Sequence, residues 1–143
     1  MLTAVLFLVL SSFAQGIDIS GWKLVQTKLA NTNSYTFPPG TIIPRGGYVV
    51  VGRKCTQPEF EAFWKTKMNI NTVFLNANDG GVPVINGGQV FSLQNTSGQI
   101  VDGPTIQLPT SISGNLIYQR LGAALSANIP ASWNLTATTE PAA

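Results

Sequence analysis

From Tyr35 to Gly52 the chain reads YTFPPGTIIPRGGYVVVG, apolar runs punctuated by proline and glycine. Tyr35 and Phe37 flank Thr36 with the two-residue period of a half-buried strand. Pro38-Pro39-Gly40 ends that strand, because proline cannot donate to a ladder and glycine accepts φ > 0. Ile42-Ile43 is a short apolar run, and Pro44-Arg45-Gly46-Gly47 is a second turn. Tyr48 to Val51 is apolar at every position, which predicts a strand buried on both faces at the centre of an all-β core.

The flanking segments extend the pattern. Ile17, Ile19, Trp22 and Leu24 point inward, with Gly21 shifting the phase as a bulge does. Lys28 to Ser34 is polar and reads as a loop. Thr56 to Glu59 has the spacing of a capping box, with the threonine as N-cap. Phe60, Phe63 and Trp64 follow at i, i+3 and i+4, so the spacing predicts one short helix over Gln57 to Lys67, with Lys65 and Lys67 at its C-terminal end. Its aromatic face reads as core packing rather than as a ligand-stacking face.

Val73 to Leu75 is a short strand, and Asn76 to Gly81 a tight polar turn. Pro83 confines Val82 to Ile85 to an edge or a loop. Asn86-Gly87-Gly88 turns again. Gln89 to Gln94 and Gln99 to Asp102 form a hairpin around the four-residue loop Asn95 to Gly98. Ile106 to Leu108 is a short strand candidate, and Asn115 to Leu121 the last clear strand. Ala127 to Ala143 reads as a tail anchored by Trp133. With turns at short intervals and one helical period, the pattern predicts a β-sandwich.

Residues 1–14 admit two readings. Leu2 to Leu10 is apolar except at Thr3, and Ser12-Phe13-Ala14 places small residues at −3 and −1 of a cut before Gln15, the outline of a signal peptide without a basic n-region. The other reading is a buried first core strand at Val5 to Leu10. The run is too short to span a bilayer. Residues 15–143 form one domain, long enough for a core of its own.

Composition narrows the function. Charged residues make up 10% of the 143, against ~25% in an average soluble domain. With abundant Asn, Thr, Ser and Gly this suits an extracellular β protein. The net charge of +2 does not by itself imply a nucleic-acid partner. There is no histidine, so histidine-dependent triads are excluded. One cysteine and no histidine cannot supply the usual zinc ligands. Cys55 reads as a small half-buried residue after the Tyr48 strand, since no activating base is at hand.

The carboxylates Asp18, Asp79, Asp102, Glu59, Glu61 and Glu140 read as solvated turn and cap residues rather than as a glycosidase pair. Asn76, Asn78 and Asp79 offer oxygen ligands of the kind calcium takes, but a single carboxylate makes a weak site. Arg45, Arg53, Lys54, Lys65 and Lys67 are candidates for a basic binding surface. No cofactor is implied. Asn95-Thr96-Ser97 and Asn134-Leu135-Thr136 are glycosylation sequons.

Taken together, Ile17 to Leu24, Tyr35 to Ile43, Gly46 to Arg53, Asn76 to Gly80, the hairpin Val90 to Asp102, Tyr118-Gln119-Arg120 and Ser132-Trp133 resemble the lamin tail domain in order and spacing, from Ile17 to about Pro141. The resemblance implies an immunoglobulin-like β-sandwich that binds and does not catalyse. In its bacterial secreted or surface form it implies a protein or glycan partner. In its nuclear form it implies nucleic acid, and beside hydrolases an accessory domain. Two departures stand out. The family opens with an apolar-Glu-apolar-Asn strand, where this chain has Phe7 to Ser12. The helix bearing Phe60 and Trp64 is also long for a family linker. If residues 1–14 are cleaved, the remaining sheet is short of a strand, which makes strand-edge pairing with another chain an expectation.

Overall fold

The structure, a computed structural model, describes residues 16–28, 31–77, 82–83, 89–107, 116–122 and 124–137. Both readings of residues 1–14 lie outside them, as do the turn at 86–88 and the distal part of the turn after Ala77. In chain order the elements are β1 (Ile17–Asp18), β2 (Lys23–Lys28), β3 (Asn31–Thr36), β4 (Ile42–Ile43), β5 (Tyr48–Arg53), α1 (Gln57–Phe63), β6 (Thr72–Ala77), β7 (Val90–Gln94), β8 (Ile100–Asp102), β9 (Leu116–Arg120), a 3-10 turn (Pro130–Ser132) and β10 (Trp133–Ala137). The described residues are mostly strands in antiparallel sheets with one short α-helix, so the fold is all-β.

Three turns with a left-handed glycine in third position fold the first third of the chain. Thr41 N–H reaches Pro38 C=O at 3.3 Å across Gly40 (φ +80°), and Gly47 N–H reaches Pro44 C=O at 2.8 Å across Gly46 (φ +66°). These are the turns that the proline–glycine clusters predict, with φ > 0 where a type II turn demands it. The third is Ile19 to Trp22, closed at 3.0 Å across Gly21 (φ +73°). Gly21 therefore does not bulge a continuous strand. It separates β1, which pairs antiparallel with β4, from β2, which joins another sheet. The change of direction leaves Ile19 buried and Ile17 exposed, not inward as its parity with Ile19 predicts.

The main sheet has the order β3-β2-β7-β8, antiparallel throughout. β3 occupies most of the stretch whose polarity predicts a loop. It runs Asn31 to Thr36 in register with β2, from Lys23↔Thr36 to Lys28↔Asn31. Cross-strand pairing overrides local propensity there, as is usual for edge strands with a wet face. The β7–β8 hairpin is as predicted, with a bulge at Leu93/Gln94. Asn95 Oδ1 closes its loop by accepting the N–H groups of Ser97 and Gln99. Beyond β8, Thr105 continues the ladder. Its hydroxyl accepts Phe91 N–H at 3.0 Å, and its own N–H donates to Phe91 C=O at 2.8 Å.

The C-terminal part is more ordered than a tail. β10 pairs with β9 along its whole length, from Trp133↔Arg120 to Ala137↔Leu116. Ile106 and Gln107 form no strand; Ile106 N–H instead donates to Ala127 C=O. Trp133 Nε1–H reaches the same carbonyl at 2.7 Å, which anchors the β9–β10 pair to this segment. Ile19, Val25, Phe37, Ala77, Val82 and Ala127 are the buried apolar side chains of the described core.

Candidate binding surface

The stretch from Tyr48 to Ala77 is built differently. β5 and β6 run parallel, register Tyr48↔Thr72 to Arg53↔Ala77, and α1 carries the chain back between them. A continuous apolar run such as Val49-Val50-Val51 is what parallel pairing favours. Yet β5 is not the buried centre of the core. Among the described residues it hydrogen-bonds to β6 alone, its three valines are half-buried, and Tyr48 is exposed. Gly52 is the close approach in this unit. A Cβ there would overlap the Phe74 ring and lie 2.8 Å from Cys55 Sγ, the half-buried thiol below it.

α1 starts as its capping box predicts. Thr56 Oγ1 accepts Glu59 N–H at 3.4 Å, and Glu59 Oε2 accepts Thr56 N–H at 2.7 Å. The bond from the Thr56 backbone, then that from its hydroxyl, holds the Glu59 carboxyl below its ordinary range. The helix ends at Phe63, short of Lys67, because Trp64 caps it and Lys65 turns left-handed (φ +48°). Phe60 packs on Phe74 and Trp64 with centroids 5.8 and 6.2 Å away. Phe63 stays exposed, edge-on to Trp64 at 5.1 Å. The aromatic stripe is thus core on one side and surface on the other.

Glu61 is the buried acid of this unit. Its carboxylate accepts Gln57 Nε2–H at 2.8 Å, Lys67 Nζ–H at 2.6 Å and Met68 N–H at 3.2 Å. Donation from Gln57, then from Lys67 and Met68, holds its carboxyl down to about 2. These bonds lash the segment after α1 against the helix. They also shape an open depression of about 300 Å³ bounded by Pro58, Glu61, Ala62, Lys65, Thr66 and Lys67.

The parallel topology distributes the five candidate cations. Arg45 sits in the turn before β5, whereas Arg53 ends that strand and Lys54 follows it. Six strand residues hold the two ends roughly 17 Å apart. Lys65 and Lys67 follow α1 and lie beside it, around the depression that Pro58, Glu61 and Ala62 also line. Arg45 is thus separated from Arg53 and Lys54 by the length of β5, while Lys65 and Lys67 lie beside α1. Lys67 is tied to Glu61. Arg45, Arg53 and Lys54 are exposed and make no ion pair among the described residues.

Of the calcium candidates, Asn76 lies exposed on β6, while Asn78 and Asp79 lie outside the described residues. Among the described residues no three His, Cys, Asp or Glu side chains cluster. One pairing escaped the sequence reading. Arg120 on β9 holds both carboxylate oxygens of Asp102 on β8, at 2.7 and 2.8 Å. The pair borders a cleft of about 120 Å³ walled by Leu24, Phe91, Leu93 and Trp133. Eighteen residues separate its members, so no local spacing signals it. Asp18 accepts from Ser20, whose side chain and then backbone lower its carboxyl. Of the sequon asparagines, Asn95 is half-buried with its amide engaged by its own turn, and Asn134 is exposed. Among the described residues no helix is long and apolar enough to cross a membrane. Comparison with protein families, with curated proteins and with solved structures finds no match.

Proposed function

We propose that this chain is a non-catalytic interaction module, an immunoglobulin-like sandwich of lamin-tail type that acts outside the cell or at its surface on protein or glycan partners. The observation that carries the reading is the set of large apolar side chains left exposed on strands: Ile17, Ile42, Tyr48, Ile100 and Val101. A strand edge that bears apolar side chains can take up an extended partner, with main-chain bonds giving affinity and the side chains specificity. The acids support it as well. Asp18, Glu59, Glu61 and Asp102 are each engaged by a neighbouring turn, cap or cation, so each has a local structural role.

The test is binding of the purified chain to defined arrays of peptides and glycans, with a variant in which Ile42 and Tyr48 are both replaced by Ser. The reading predicts at least one ligand class whose signal falls in the variant. It fails if the array is silent, or if every signal is indifferent to the substitutions.

A further inference from the structure

We propose that the outer edge of β5 is a strand-addition site for an extended apolar peptide with acidic residues at both ends. This rests on the interaction-module reading and names the partner's chemistry. β5 and β6 form a two-stranded sheet in which each is the other's one hydrogen-bonded strand among the described residues; β6 also lies beside β4 and α1, which leaves the outer side of β5 the more open. The outer side of a strand carries unpaired N–H and C=O groups that template another strand. Here that side belongs to a strand with an uninterrupted valine run, and its three valines are half-buried where parallel pairing leads one to expect full burial.

Charge selects the occupant. Arg45 precedes the strand, and Arg53 and Lys54 close it. No acid occurs from Arg45 through Pro58. Cations placed along an edge guard it against pairing. These stand at the two ends and leave the valines between them uninterrupted, so they complement a strand with an apolar middle and carboxylates at its ends. About six residues span the site. The other edges fit such a partner less well. β3 exposes Thr32, Asn33 and Ser34, with nothing apolar among them, and β8 is three residues long with Asp102 already held by Arg120.

The experiment titrates the full isotope-labelled chain with three synthetic peptides. One alternates Ile and Thr between paired glutamates, one has lysines in place of the glutamates, and one keeps the glutamates but has a central proline. The expected result is amide shifts centred on residues 48–54 with the glutamate peptide. Affinity should be roughly tenfold weaker for the lysine peptide, and lost for the proline peptide, which cannot complete the ladder. Combining Arg45→Glu with Arg53→Glu, both at exposed turn or strand-end positions, should invert the preference between the charged peptides. Equal affinity for both charges overturns the proposal, as does an unchanged preference in the variant. Shifts confined to β3 or β8 overturn the site while leaving the interaction-module reading intact. Amides of β5 fully protected from exchange without peptide, with no peptide binding, would mean that the chain's own residues or a second copy hold the edge, and would overturn it too.

Discussion

In the four-stranded sheet all neighbours are antiparallel, and two of the three contacts are hairpins; in the β5-α1-β6 unit the neighbours are parallel and a helix carries the chain between them. A hairpin fixes register through its turn, so the sheet is specified locally. A parallel pair has no such turn. Its register depends on what holds the crossover, and here that is a capping box at one end of α1 and the Glu61 carboxylate at the other. In one region register is set by the turns, in the other by the side chains that hold the crossover, and substitutions should separate the two.

Gly52→Val should act most strongly, because the added atoms meet the Phe74 ring and Cys55 where β5, β6 and the start of the crossover converge. A loss of about 2–3 kcal/mol is expected, read from the denaturant midpoint. If the loss is confined to the parallel unit, exchange protection should collapse in β5 and β6 and persist in β2 and β7. Uniform loss would show that the regions unfold together.

Thr105→Val probes the other side of the comparison. It removes the hydroxyl that accepts Phe91 N–H and donates to Ile106 C=O. The cost should be about 1–2 kcal/mol, with the larger protection changes in β7 and β8. Thr56→Ala removes the N-cap and should cost about 1 kcal/mol. Its signature is reduced protection in α1 with the four-stranded sheet unaffected.

A further effect should appear as a pH dependence. The folded Glu61 carboxyl sits at about 2, below its ordinary 4.5. The unfolded chain therefore takes up this proton first as pH falls. The stabilisation is complete above about pH 4.5 and disappears toward pH 2. Thermal midpoints between pH 5 and 2 should fall less steeply in Glu61→Gln than in the parent. A residual slope should remain, because Glu59 and Asp18 are shifted in the same direction. Identical slopes would mean that the lashing after α1 does not depend on charge.

What the sequence made legible follows the same division. The turns at Pro38–Thr41 and Pro44–Gly47, the Asn95 loop and the Thr56 cap are written in residues whose conformational preferences are strong and local. β3 was not legible, since Asn31 to Ser34 are strand because β2 lies beside them. β10 was hidden likewise, paired to a strand whose nearest residue is thirteen positions away in sequence. The apolar run of β5 announced a strand but not its neighbours, and periodicity cannot distinguish a central position from a narrow parallel pair. At the candidate surface the cations were readable one by one. The folding of Lys65 and Lys67 back beside α1 was not, because it follows from the bonds to Glu61 and not from spacing.

Lys54 (φ +55°) and Lys65 (φ +48°) stand just before and just after the crossover helix, both in the backbone region that suits glycine. For an ordinary L-residue that conformation is about 1–2 kcal/mol less favourable. A designer who optimised rigidity alone would write glycine or asparagine at both positions, and would remove two positive charges that flank the crossover helix in doing so. Thermostability and surface electrostatics therefore pull these two sites in opposite directions, and a library selected only for heat resistance would drift toward a more neutral molecule.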